Sequence, residues 1–497
     1  MASGPAEITI VGSGVAGMLL ARELLREGRE VLMIERGAFR DHATQLSMDA
    51  ADKNHGEEVE IPTSKHNTDS SYPWDYDYAV GGSGLHWTGV TPRLSPADFE
   101  LHSRYGVARD WPFGYQELEP FYEEAEHVLA VAGDRRTPFP RRTGYRLPAH
   151  PLSPLDKLLA PHLEPFYALP QARPTRPVDG RPACCGSARC RLCPVDARYS
   201  PLQTFERDVR GKPGFTLRER TIVERVKVSG SRAVSLQLVD GDGNRSTLPV
   251  RTVVLSANGI ENPAILMRSG LVGGEVGRGI YDHDELVLRY TVKRPLPNGY
   301  GTTLSTGVSY TYADGPFRSR RAGIIVSPYN PGIVVREQMA EGIVQGRNGK
   351  KLRADLLKRF QHTLVLAASG EDLPRQDRFV ELSPDKDRFG IPLNRVHYPP
   401  ESSYLTDSQQ FVQRDIEQRL SSFGARLERV EHVQDRHLIG TCRIGKTDSV
   451  MNPDLRHHNV ENLYVSGASA FPTYSPAHPT LTIAALAIRL GRHLARV

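Results

Sequence analysis

The sequence predicts an α/β fold in which a Rossmann-like nucleotide-binding domain is interrupted by a discontinuous α+β domain built on an antiparallel sheet. Three observations carry this. A β-branched run opens directly into a Gly-rich turn, Gly12-Ser13-Gly14-Val15-Ala16-Gly17. The apolar run Thr252-Val253-Val254-Leu255-Ser256-Ala257 reads as a central parallel strand returning to that domain, and a further strand, Leu463-Tyr464-Val465-Ser466, precedes the last helix. The long interval is strand-rich and does not repeat the opening pattern. At 497 residues and 39% hydrophobic content, the chain can bury a core for two merged domains.

Taken in order, Ile8 to Val11 is a strand, Met18 to Leu25 a helical pattern, and Val31 to Ile34 a second strand ending at Glu35, which together make a βαβ unit. In that geometry Gly12 makes the turn, Gly14 lets the backbone approach a pyrophosphate, and Gly17 lets helix and strand pack closely. Glu35 accepts from a ribose hydroxyl. A lone G-x-G-x-x-G is weak evidence, but here the strand, the helix and an acid eighteen residues past Gly17 all fall in place.

Residues 40–75 are polar and irregular. Gly81-Gly82-Ser83-Gly84 then precedes His86-Trp87-Thr88, and Trp111-Pro112-Phe113 leads into a helix from Gln116 to Ala130. From Phe215 strands dominate: Thr221-Ile222-Val223, Val226-Lys227-Val228, a turn at Asp240 to Asn244, and the run from Thr252, which returns as a central parallel strand. Residues 286–430 alternate strands with one basic helical stretch, Gly349 to Gln361. The chain finishes with the strand at Leu463 and an apolar helix from Thr480 to about Ala495.

A formal charge of +5 is small for this length, and no lysine-rich run interleaved with aromatics marks a nucleic-acid groove, so neither DNA nor RNA is an expected partner. No stretch of about 18 apolar residues predicts a membrane segment, and no signal-type leader precedes Ile8, so a cytoplasmic protein is expected. Four of the five cysteines, Cys184, Cys185, Cys190 and Cys193, cluster within ten positions, which serves a local purpose and is not a secretory disulfide framework.

Chemistry is concentrated near the other end of the chain. His437 lies in His437-Leu438-Ile439-Gly440-Thr441, and His478, forty-one residues on, in Ser475-Pro476-Ala477-His478-Pro479-Thr480. Imidazole is the side chain best matched to taking a proton near neutral pH, and a helix entered at Pro479-Thr480 can direct backbone N–H groups at developing negative charge. A nucleotide cofactor at one end and paired imidazoles at the other predict redox chemistry, the oxidation of an alcohol.

With both ends read, the chain resembles the glucose–methanol–choline (GMC) oxidoreductase family over nearly its whole length. The resemblance is carried by Gly12 to Gly17 with Glu35, by Gly81 to Gly89, by Val253 to Gly270, by Asp282-His283, and by the block from His437 to Leu490. Arg109-Asp110-Trp111-Pro112 with Leu118-Glu119-Pro120-Phe121-Tyr122 is most similar to the catalytic subunits of FAD-dependent sugar dehydrogenases, with pyranose oxidase a further relative.

The resemblance implies FAD in the Gly-rich site, with Val223 near its adenine end and the loop of Gly81, Gly82, Ser83, His86, Trp87 and Thr88 beside the isoalloxazine. His86 either attaches FAD covalently or is an ordinary hydrogen-bonded histidine. The FAD-binding domain is then expected in three parts, 1–100, 201–285 and 431–497, with 101–200 mostly a cap region holding the Cys-rich loop and 286–430 the substrate-binding domain. His437 is implied as the base and His478 as its partner, where many relatives hold Asn. The turn at Pro479 and Thr480 would favour negative charge on the bound ring by roughly 0.5 to 2 kcal/mol. Ser466-Gly467 stands where relatives often place Asp, so an N–H of Gly467 or Ala468 is expected to take over that contact.

Sugar dehydrogenases hold an iron–sulfur cluster in a similar Cys-rich segment. Here Cys190 and Cys193 are separated by two residues instead of three, which leaves an iron–sulfur cluster, a structural zinc and a metal-free loop of thiols or a local disulfide all open. The implied substrate is a small-molecule alcohol: a sugar, polyol or glycosylated compound. Tyr300, Tyr310, Tyr312, Glu337, Gln338 and Gln345 are expected as polar contacts on the substrate wall. The alternatives are a non-sugar alcohol such as a steroid or polyketide hydroxyl, and a catalytically silent FAD-binding protein. Oxygen, a quinone and a partner redox protein all remain open as electron acceptor.

Overall fold

The computed structural model describes residues 4–50, 77–187, 189–273, 275–299, 305–330, 332–434 and 436–497, without the side chains of 48–50, 332–334, 336 and 337. A parallel five-stranded sheet runs in the order Leu463–Val465, Thr252–Leu255, Ile8–Val11, Val31–Ile34, Phe215–Arg218. Ile8 pairs with both Thr252 and Val31, so the first strand is central and chain order reverses around it. In open α/β sheets ligands bind beyond the carboxyl ends of the strands at such a reversal. That places Gly12, whose N–H donates to the Ile34 carbonyl, and Ser256, whose N–H donates to the Val11 carbonyl, at one rim.

The first helix, Val15–Arg26, buries Met18, Leu19, Leu20 and Leu24. Against it lies the terminal helix, Thr480–Leu494, which buries Leu481, Ala484, Ala485, Ile488 and Leu490. Their approach is close: a Cβ added to Gly491 would stand 2.7 Å from Glu23 Cβ. The C-terminal segment is therefore fixed on the element that begins the nucleotide fingerprint.

A second, antiparallel sheet of six strands has the order Arg426–Gln434, Asp284–Thr291, Thr363–Gly370, Ile324–Tyr329, Gly307–Tyr312, Phe166–Ala168. Thr363–Gly370 is buried along its full length, and helix Ser403–Arg419 packs Val412 and Ile416 over one face, against Leu286, Leu288, Leu364 and Leu366. Strands Thr221–Ser229, Arg232–Asp240 and Arg245–Pro249 form a separate meander. The two short runs expected at 221–223 and 226–228 are one strand, with a register shift between Val223 and Arg225.

The predicted helices at 116–130 and 349–361 form as Tyr115–Val128 and Gly349–His362. Within the polar stretch expected to be irregular, His42–Ala50 is helical, whereas 51–75 lies outside the described residues. Among the described residues no helix is long and apolar enough to cross a membrane.

Candidate active site

The loop after the first strand has the geometry its glycines predict. Gly12 has φ +99°, and a Cβ there would meet the Ser256 carbonyl oxygen at 2.5 Å; at Gly17 it would meet the Gly12 oxygen at 2.0 Å. Gly14 is different, since a Cβ there would meet nothing within 4 Å. The backbone at Gly14 thus borders open space that a passing ligand can approach closely.

Glu35 is buried, and its carboxylate accepts from Ser13 N at 3.0 Å, Ser13 Oγ at 2.7 Å and Gly37 N at 2.9 Å. Burial pushes its pKa up, and these three donors oppose that shift. In this structure Glu35 braces the fingerprint loop. Ser13 Oγ in turn accepts from Gly81 N at 3.1 Å, and a Cβ on Gly82 would stand 3.4 Å from Gly14 Cα, so the second Gly-rich loop lies directly on the first. His86 Nε2 is 2.6 Å from Asp77 Oδ2, and Trp87 Nε1 donates to the Tyr199 carbonyl at 2.8 Å. Thr88 follows in irregular chain, and Val223 is buried in the core beside the first sheet.

The tail meets the same region. Gly467 has φ +112° and lies beside Ala16, at the start of the first helix. The carbonyl of Ala468 accepts from Gly440 N at 3.0 Å, which ties the His437 segment to the chain leaving the last parallel strand. Pro479 caps the terminal helix without a side-chain hydrogen bond, and the first turn from Thr480 holds no acidic residue, so its N–H dipoles are not neutralised locally.

His437 and His478 come together with ring centroids 5.1 Å apart. A third imidazole completes the cluster: His283 lies 5.0 Å from His437 and 6.2 Å from His478 by centroids. His283 Nδ1 is 3.0 Å from His437 Nδ1, and its Nε2 is 2.6 Å from the carbonyl oxygen of Ser475. The preceding residue, Asp282, is fully buried and accepts from the backbone N–H of His437 at 2.6 Å and of Arg436 at 2.9 Å. The His478 loop is held from a third direction, because Ser475 Oγ donates to Asp98 Oδ2 at 2.8 Å and Trp111 Nε1 to Thr473 Oγ1 at 2.9 Å.

Burial holds all three imidazoles down. The pKa of His283 falls to about 4, that of His478 to about 3, and that of His437 well below the ordinary value, the last two also repelled by neighbouring rings. Each is a neutral base near pH 7. Sequence reasoning recognised Asp282-His283 only as part of a resemblance; its role depends on contacts more than 150 residues away along the chain.

The described residues of the expected polar wall make contacts of their own. The Tyr312 hydroxyl donates to Asp415 at 2.6 Å, Gln338 Nε2 donates to Thr363 Oγ1 at 3.3 Å, and Gln345 is exposed and pairs with Arg347. Tyr310 packs edge-on against Phe139 and Tyr167. Tyr300 and the Glu337 side chain lie outside the described residues. A register shift between Ser309 and Tyr312 breaks the two-residue alternation that would put Tyr310 and Tyr312 on one face.

The cysteine loop does not fit a metal centre as it stands. Among the described residues no group of three or more His, Cys, Asp or Glu side chains is arranged to hold a metal ion. Cys190 and Cys193 are buried, Cys184 is half-buried and Cys185 exposed, all as free thiols. The Arg173 guanidinium donates to Cys190 Sγ, and Ala197 N donates to Cys193 Sγ at 3.2 Å. A cation against Cys190 occupies a direction that iron or zinc would need.

Two family models, both described as GMC oxidoreductase, match residues 169–285 and 374–487. The chain is similar to the fructose dehydrogenase large subunit of Gluconobacter japonicus, with 29% identity across 97% of this chain and 96% of that protein. It is similar also to the 6'''-hydroxyparomomycin C oxidase of Streptomyces lividus, with 28% identity across 98% and 91% of the two chains. The crystal structure of pyridoxine 4-oxidase from Mesorbium loti matches with a TM-score of 0.66 at 21% identity, covering 98% of this chain and 99% of that one, which establishes a shared fold.

Proposed function

This chain belongs to the GMC oxidoreductases, carrying both the N-terminal and the C-terminal model of that family, and from that premise we propose that it oxidises the hydroxyl of a sugar, polyol or glycosylated small molecule to a carbonyl. Two of its relatives are named for sugar-type substrates, fructose and a paromomycin derivative, which supports that substrate class. The domain division at 1–100, 201–285 and 431–497 against 286–430 belongs to the same reading.

The family implies FAD, and the glycine passages fit it: the open space at Gly14 and the second Gly-rich loop laid against it suit a long, flat cofactor. FAD, when bound, supplies the acceptor for the hydride that leaves the alcohol carbon. Gly12, Gly14, Gly17 and Glu35 would hold its nucleotide half, Val223 would lie at the adenine end, and the loop from Gly81 to Thr88 would lie beside its ring, with Gly467, Ala468, Pro479 and Thr480 at the far edge. In the reaction His437 takes the hydroxyl proton, and His478 orients the oxygen and shares in stabilising its developing negative charge.

One observation carries the assignment. Two neutral imidazoles from segments forty-one residues apart converge at 5.1 Å beside an uncapped helix N-terminus, which is a base and an oxyanion stabiliser in one place. The experiment is anaerobic addition of sugars, polyols and non-sugar alcohols to the purified holoprotein. Loss of the flavin's visible absorbance with one of the sugars or polyols is the expected result; no bleaching by any alcohol would leave a silent FAD-binding protein.

Acid precipitation of the same sample settles His86, because covalently held flavin stays with the pellet. The Arg173 contact at Cys190 argues against an electron path through the cysteine loop. An iron and labile-sulfide assay of the as-purified protein is expected to find neither, and stoichiometric iron would restore the cluster expected from the sequence.

A further inference from the structure

We propose that His283 is a positioning residue that fixes the tautomer of His437, forcing the proton of the neutral base onto Nδ1 and its lone pair onto Nε2. The inference rests on the reading of His437 as the base and goes one step beyond it.

A short chain of contacts fixes where each proton lies. A backbone carbonyl can only accept, so the 2.6 Å contact between Ser475 O and His283 Nε2 requires the hydrogen to be on Nε2. A neutral imidazole with its hydrogen on Nε2 presents Nδ1 as an acceptor. His283 is neutral because it is fully buried, with its pKa pushed down to about 4, and two further imidazoles lie within 6.2 Å. The 3.0 Å contact between His283 Nδ1 and His437 Nδ1 needs one hydrogen, and only His437 can supply it. His437 Nδ1 is therefore the donor, and the basic nitrogen of His437 is Nε2.

Without this arrangement a neutral histidine distributes its proton between both nitrogens, and part of the population would present an N–H to a substrate hydroxyl that must itself lose a proton. As His437 takes that proton and becomes an imidazolium, its Nδ1–H bond to a neutral acceptor strengthens, so His283 assists more in the transition state than in the ground state. Asp282, next along the chain, holds the backbone of His437 through its N–H at 2.6 Å. The dipeptide Asp282-His283 thus sets both where His437 lies and which of its nitrogens is basic.

Two substitutions divide the roles of the ring. His283→Asn keeps an acceptor close to the Nδ1 position and gives up the Ser475 contact. His283→Gln keeps a donor toward the Ser475 carbonyl and gives up the acceptor. Both are measured as FAD-loaded enzyme by the anaerobic rate of flavin reduction with a substrate that bleaches the wild type, alongside flavin content and visible spectrum.

The expected result is that Gln slows reduction by on the order of 10²-fold or more, while Asn stays within about tenfold of wild type, both with full flavin content. Equal rates for the two variants, or Gln faster than Asn, would overturn the tautomer assignment. If either variant loses flavin, ¹⁵N chemical shifts of the wild-type histidines decide: protonated Nδ1 and unprotonated Nε2 on His437 support the assignment, and the reverse overturns it. Slow reduction in His437→Ala together with wild-type rates in both His283 variants would sink this inference and leave the base intact.

Discussion

A buried histidine that stays neutral is a base whose working range extends further into acid than that of free imidazole. His437 is held well below its ordinary pKa, first by burial and then by His283 and His478. With His437 as the proposed base, the unprotonated form is the active one, so activity is expected to be lost only as pH falls through the depressed value. The rate of flavin reduction is expected to be flat from about pH 8 to below pH 6 and to decline only in stronger acid. A pH-jump stopped-flow series checks this, and a midpoint near 6.5 would mean that the base is solvated. At this scale His437 and His478 were legible because each lies in a local motif, a Gly-rich turn and a helix entry. His283 was not, since a histidine before a strand says nothing of the ring it will meet 154 residues later.

Among elements, the two strands and first helix of the fingerprint form where periodicity placed them, and Thr252–Leu255 returns to their sheet as a parallel strand, as expected, where it pairs with Ile8–Val11. The glycines of the turn do different work, which gives a paired prediction. Gly17→Ala drives a Cβ to 2.0 Å from the Gly12 oxygen and must displace the helix, so the variant is expected to melt lower and to carry little flavin. Gly14→Ala meets no protein atom within 4 Å, so its apoprotein is expected to melt like wild type while binding FAD more weakly. Thermal melts with flavin titration check both, and equal flavin affinity in Gly14→Ala and wild type would remove Gly14 from the cofactor site. The short strand Phe166–Ala168 and the facing of Tyr312 were not legible: three residues carry no alternation, and a register shift cancels it where it exists.

Across the whole molecule, one buried ion cluster joins regions distant in sequence. Arg318, fully buried, donates from Nη2 to Asp98 at 2.7 Å and to Glu371 at 2.6 Å, and Asp98 also receives Ser475 Oγ from the His478 loop. The antiparallel sheet is thereby connected to the loop that carries the second histidine. Arg318→Met leaves two buried carboxylates without their cation and is expected to cost about 3–5 kcal/mol, read as a lower denaturant midpoint, with an unchanged midpoint as the contrary result. The sequence offered no sign of this cluster, because pairing at separations of 53 and 220 residues has no local signature.

The proposal that His437 removes the hydroxyl proton as hydride leaves the substrate carbon is tested by single-turnover flavin reduction without oxygen. His437→Ala is expected to keep its full complement of flavin and to be reduced on the order of 10²-fold or more slowly than wild type. Reduction of that variant at the wild-type rate would contradict the claim.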